Sequence, residues 1–98
     1  YIAGARFAVR PAAPAGSRVR ELSVRDPSGV YRPADPGKVY RTVVSAFMAG
    51  GGDGLATLKK ASGFRVDTGI IDQDAFRDHL RKLGSYASPT ERRITILP

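Results

Sequence analysis

Residues 50–54 read Gly-Gly-Gly-Asp-Gly, and no regular element can be expected to run through them. Glycine loses more conformational freedom on folding than any other residue, so helix or strand should stop here. A hairpin needs one or two glycines. Four around Asp53 exceed that need and let a backbone approach a ligand closely. The phosphate-binding templates fail, however. A P-loop requires Lys-Ser/Thr after its last glycine, where Leu55-Ala56 stand, and G-x-G-x-x-G fails because Leu55 occupies its last position.

The segments on either side predict an α+β fold. Arg6–Val9 alternates polar and apolar residues and reads as a strand. Pro11–Ser17 is a Pro/Ala/Gly-rich turn. Val19–Val24 alternates imperfectly, with Leu22 and Val24 on one face, and reads as the second strand of a hairpin. Asp26–Gly29 carries Asp-Pro and Ser-Gly turn signals, Val30–Arg32 is a short returning strand, and Pro33–Gly37 is a loop. Val39–Phe47, dense in β-branched and aromatic residues, is expected to be the strongest strand. Leu55–Ala61 predicts a short helix ending at Ser62-Gly63, and Phe64–Asp67 a short extended piece.

The most regular helical pattern is Asp72–Leu83. Asp72 is its expected N-cap, with Asp74 in the first turn. Phe76, Leu80 and Leu83 recur at helical spacing, Arg81 and Lys82 lie in the last turn, and Gly84 follows as C′. Arg93–Leu97 closes the chain as a strand. The expectation is a mixed or largely antiparallel sheet with one prominent helix, in a single domain spanning residues 1–98.

Composition narrows the chemistry. With 42% hydrophobic and 26% charged residues, the chain is globular rather than disordered. No apolar run approaches the roughly 18 residues of a membrane span. The absence of cysteine excludes thiolate metal sites and cysteine nucleophiles. The single histidine, His79, argues against a self-contained two-metal hydrolase; it reads as a surface residue of the helix. Sixteen Lys and Arg against nine Asp and Glu leave +7, a field that attracts phosphates or nucleic acid. The basic residues form only pairs, Lys59-Lys60, Arg81-Lys82 and Arg92-Arg93, which favours a solvated surface over a binding stripe. The chain opens with Tyr1, shows no signal peptide, and is expected to be either mature, processed or cut from something longer.

Two side chains near the glycines could bind a ligand. Phe47 is a core residue or a platform for a flat ring. Asp53 is a turn residue bonding local N–H groups, or a carboxylate accepting two sugar hydroxyls. Asp72 and Asp74 are spaced like the start of a calcium loop, but Phe76 stands at the next ligand position. Tyr1, Tyr31, Tyr40 and Tyr86 lack the spacing of an RNA-stacking sheet.

The order of these motifs resembles a known family. Pro14-Ala15-Gly16-Ser17-Arg18-Val19 precedes a strand. Tyr40-Arg41-Thr42-Val43-Val44 leads into Phe47-Met48-Ala49-Gly50-Gly51-Gly52-Asp53-Gly54. Asp67-Thr68-Gly69 precedes Asp72 and the helix, and Arg93-Ile94 follows. Together they resemble the later part of the 5′-nucleotidase C-terminal domain, as in UDP-sugar hydrolases and 2′,3′-cyclic-nucleotide phosphodiesterases. Leu55 departs from an aromatic common there.

The resemblance implies that Phe47 stacks on a base, that Asp53 binds ribose hydroxyls, and that Gly51 and Gly52 line the substrate site. It implies no catalytic or metal-binding residue in this chain. Two divalent metals would belong to a separate metallophosphoesterase domain that hydrolyses the phosphate ester. The further implied partners are a nucleotide or nucleoside and the missing half of the domain, or a second copy of the chain covering its strands. The implied location is periplasmic or extracellular. A basic nucleic-acid-binding module is the alternative function, and a structural fragment without ligand the third. A nucleoside site would put Phe47 and Asp53 on one open face, whereas a nucleic-acid module would put Arg and Lys there.

Overall fold

The computed structural model describes residues 2–98, so Tyr1 lies outside the described residues. The described residues form two compact units: residues 2–39 with Pro89–Pro98, and Tyr40–Ser88.

The first unit is a four-stranded sheet of β1 (Ala5–Val9), β2 (Val19–Arg25), β3 (Tyr31–Pro33) and β4 (Ile94–Ile96), in the order β3-β2-β1-β4. The β1–β2 and β2–β3 pairs are antiparallel, and β4 runs parallel to β1. The expected mixed, mostly antiparallel sheet is therefore present. Pro33 pairs with Ser23 on an edge strand, where a missing N–H costs no ladder bond.

Ladder partners share a face and neighbours along a strand alternate. Phe7 and Val9 thus share a face with Val24, Val19, Ile94 and Ile96, while Arg6 and Ala8 share the other with Ser23, Arg20 and Thr95. The register shifts between Arg6 and Ala8, and Glu21 on the opposing strand takes a positive φ of 53°. This extra residue explains the imperfect alternation of Val19–Val24. Without it Val19 would turn to the charged face; with it Val19 pairs with Val9 on the apolar one.

That apolar face is open. Among the described residues Ala5 is the buried hydrophobic on this face and Ala8 on the other, while Val19 is 52% and Ile96 73% exposed. β4 also ends the sheet, with an unpaired edge.

Asp26 organises the β2–β3 turn. Its Oδ1 accepts from Ser28 Oγ at 2.5 Å and from the Val30 N–H at 3.0 Å, and its Oδ2 pairs with Arg32 Nε at 2.8 Å. The Ser28 and Arg32 hydrogen bonds, followed by that of Val30, hold its carboxyl well below the usual carboxylate range. A depressed folded-state pKa stabilises fully above the unfolded pKa of about 4 and is lost as pH falls toward the folded value. Asp26→Asn should therefore lower the melting temperature at neutral pH, with the difference from wild type shrinking as the pH drops below about 4. Paired thermal melts across that range check it; a difference independent of pH would contradict this role.

The second unit carries α1 (Ala46–Ala49), a 3₁₀ turn at Gly52–Gly54, α2 (Ala56–Lys60) and α3 (Asp72–Leu83). Helix α3 has the expected bounds and ends at Gly84, which takes φ 74°. The N-cap expectation needs correction by one residue. Ile71 occupies that position with extended dihedrals and no side-chain cap, and Asp72 begins the helix, its Oδ1 accepting from the Gln73 N–H. Asp74 pairs with Arg77 at 2.7 Å rather than serving as a cation ligand. Phe76 and Leu83 remain 61% and 47% exposed.

Val39–Phe47 is not a strand. Residues 39–45 are irregular, Ala46–Ala49 is helical, and Val39 and Val43 are each 94% exposed. β-Propensity measures how well side chains fit a pleated, half-buried surface, and no described strand supplies that surface here. Phe64–Asp67 is likewise without regular structure.

Candidate functional site

Helix α1 delivers Phe47 to the glycine run. Ser45 is extended and N-caps the helix, its Oγ accepting from the Met48 N–H at 3.2 Å. The Gly50 N–H closes the last turn onto Ala46 O at 3.0 Å, and the Gly51 N–H bonds Met48 O at 3.0 Å. Phe47 therefore sits inside a one-turn helix rather than at a strand end.

Gly51 takes φ 93°, a conformation costly for other residues, and a Cβ there would press on the Lys59 stem at 3.2 Å. At Gly52 the constraint is steric. A Cβ would fall inside the van der Waals envelope of Phe47 Cε1, Cζ and Cδ1, so the ring edge rests directly on this α-carbon. The ring is nonetheless 64% exposed. It is supported on one side by backbone and open to solvent over most of its surface.

Asp53 follows Gly52, so its α-carbon is about 3.8 Å from the one carrying the Phe47 ring. Its backbone is left-handed at φ 53°, ψ 30°, a region few non-glycine residues visit and where Asp is enriched. Elsewhere in the chain, turn aspartates bond their own loops. Asp35 Oδ1 accepts from the Gly37 N–H, Asp67 Oδ1 from the Gly69 N–H, and Asp26 from Val30. Among the described residues, no hydrogen bond or ion pair reaches the Asp53 carboxylate, and the residue is exposed. Its oxygens are left to accept from outside.

A residue without a sequence signal holds this region together. Arg65 donates from Nη2 to Ala49 O at 2.9 Å, and from Nη1 to Leu58 O and Lys59 O at 3.3 Å each. One guanidinium thus satisfies the carbonyl ends of both α1 and α2, where helices leave acceptors unpaired. An isolated arginine between Phe64 and Val66 shows neither periodicity nor motif, so nothing in the chain marks it.

Four of the residues singled out from sequence, Phe47, Gly51, Gly52 and Asp53, thus meet in one loop. His79 does not join them in any described contact; it lies on α3. Among the described residues, no group of three or more His, Asp or Glu side chains could hold a metal ion. No helix of the described residues is long and apolar enough to cross a membrane.

Comparison with known proteins agrees with this architecture. A family model described as "5′-nucleotidase, C-terminal domain" matches residues 1–60. The crystal structure of a 5′-nucleotidase precursor from Thermus thermophilus superposes with a TM-score of 0.90 at 44% identity, over 97% of this chain and 18% of that one. Its fold matches the mostly antiparallel sheet with helices found here. A 5′-nucleotidase-related protein of Glossina morsitans morsitans is 37% identical over 86 residues, 85% of this chain and 15% of the relative. The trifunctional nucleotide phosphoesterase protein YfkN of Bacillus subtilis (strain 168) is 34% identical over 74 residues, 76% of this chain and 5% of the relative. The chain therefore spans less than a fifth of the length of each of these relatives, and it belongs to the 5′-nucleotidase C-terminal domain family.

Proposed function

We propose that this chain is the later part of a substrate-specificity domain that grips the nucleoside of a nucleotide. Phe47 stacks on the base, and Asp53 accepts the two ribose hydroxyls. Gly51 and Gly52 let backbone and ring come close enough to form the platform. The observation that carries this reading is the pairing of an open aromatic ring, seated on Gly52, with an adjacent carboxylate that has no described partner. Every base has a π-face, and a carboxylate can take both diol protons.

The chemistry lies elsewhere. Phosphate-ester hydrolysis by this class needs divalent metal, and the His, Asp and Glu residues described here do not fit such a site. A separate metallophosphoesterase domain, carrying two metals, supplies that step. The earlier half of this domain covers the open apolar sheet face. A periplasmic or extracellular location accords with this reading.

Gly52→Ala tests the platform without removing it. The new Cβ must displace the ring, while Gly52, unlike Gly51, holds no positive φ that alanine would strain. In the protein expressed from its own reading frame, KM for adenosine monophosphate should rise about tenfold, the lower end of what a base–aromatic stack contributes. Circular dichroism should report an unchanged fold. An unaltered KM with the variant folded would overturn the platform.

A further inference from the structure

The charged face of the sheet, in the unit that does not contain the glycine loop, holds a cleft of about 290 Å³. Arg6, Arg92, Arg93, Glu21, Ser23 and Thr95 line it. The register explains the gathering: Ser23 pairs with Arg6, Thr95 pairs with Ala8 beside it, and Arg93 shares the Thr95 face two residues earlier.

The electrostatics of this cleft are unbalanced. Among the described residues, none of the three arginines makes an ion pair, and Glu21 makes none either. Three guanidinium groups against one carboxylate leave a formal +2 around one small concavity. Like charges held together are costly unless an anion joins them. Guanidinium forks and hydroxyl donors are the groups that match a tetrahedral oxyanion. The volume lies near the lower end of small-ligand sites.

One of these side chains, Arg6, is also held in place. The Arg6 guanidinium stacks over the Tyr31 ring, 4.6 Å from its centre. The Tyr31 hydroxyl hydrogen-bonds Glu91, the residue preceding Arg92, and that bond raises its pKa. Glu21 lies two residues before Ser23, so strand alternation puts it on this face, and its backbone there is left-handed at φ 53°. Left-handed conformations of non-glycine residues concentrate at functional sites.

Glu21 selects among anions. Hydrogenphosphate at neutral pH keeps one P–OH proton, which a carboxylate can accept. Sulfate has no proton to give and meets only repulsion from the same carboxylate. We infer that the Arg6–Arg92–Arg93 cleft is a binding site for free hydrogenphosphate, with Glu21 discriminating against sulfate. No covalent step is involved, and the site does not depend on the role proposed for Phe47 and Asp53.

The test is calorimetric titration of the protein expressed from its own reading frame, with EDTA present, using inorganic phosphate, sulfate and adenosine monophosphate as probes. Phosphate should bind saturably and at least about tenfold more tightly than sulfate, the scale of one charge-assisted hydrogen bond. Arg93→Gln should weaken phosphate by about tenfold or more, with Arg93→Lys between it and wild type. Glu21→Gln should bring sulfate up to the affinity of phosphate. A merely structural role would not move the two variants in opposite directions.

Thermal melts confirm that each variant is folded. Phe47→Ala and Asp53→Ala should leave phosphate binding unchanged, which separates this site from the nucleoside grip. Equal affinity for phosphate and sulfate in the wild type would overturn the inference. So would the absence of saturable phosphate binding, a folded Arg93→Gln with unchanged affinity, or tighter binding of adenosine monophosphate in this cleft.

Discussion

Phe47→Ala should weaken every nucleoside substrate by roughly ten- to a hundredfold, because base–aromatic stacking contributes about 1–3 kcal/mol whatever the base. Asp53→Ala should act differently. It removes a charge-assisted acceptor worth about 1.5–3 kcal/mol. The loss should fall mainly on ribosides and spare 2′-deoxy substrates, which have already given up one of the two hydroxyls. The comparison is kcat/KM for adenosine and 2′-deoxyadenosine monophosphate on both variants, with melting temperatures alongside. If these residues only supported the loop, both changes would lower stability and harm all substrates alike. Their exposure argues against that outcome, since Phe47 is 64% open and the Asp53 carboxylate bonds nothing described. Equal riboside and deoxyriboside losses for Asp53→Ala would remove the diol assignment.

The second expected result is all-or-none. The 98-residue chain alone should show no hydrolysis of a nucleoside monophosphate with manganese, zinc or cobalt. Each such reaction needs activated water and neutralised phosphoryl charge, and among the described residues no His, Asp and Glu group, His79 on α3 included, could form a metal site. Addition of the metallophosphoesterase domain in one polypeptide should restore turnover. A phosphatase activity that follows the chain through rigorous purification, and survives His79→Ala, would contradict the assignment of chemistry to another domain.

Residue order is legible where an element is local. The Asp26–Gly29 turn and the hairpins beside it are local: turn chemistry and alternation lie within a few residues, and the strands form there within a residue of expectation. Helix α3 is legible for the same reason, since acidic first turn, apolar spacing, basic last turn and Gly84 are all contained in its own segment. Even the Glu21 bulge leaves a trace, as the broken alternation of Val19–Val24.

Val39–Phe47 misleads because its β-branched residues advertise fitness for a sheet without supplying the partner strand. Outside any described strand pairing the segment stays irregular, and Ser45 starts a helix instead. The residues of the loop can be picked out by type, but their geometry cannot. That Phe47 rests on Gly52, and that Asp53 lacks the local N–H bonds made by Asp26, Asp35 and Asp67, depend on where α1 ends and how the backbone turns at Gly51.

The chain's order of residues thus specified what is short-range: its turns, its one long helix, the polar and apolar alternation of its hairpin, and the candidates in the glycine run. The contacts that give those candidates a purpose are long-range. Arg65 reaches back across the sequence to cap α1, and β4 returns from the chain's end to lie parallel to β1, bringing Arg92 and Arg93 beside Arg6. Such neighbours leave no periodic trace, because they are set by hydrogen-bond ladders and packing between segments rather than by propensities within them.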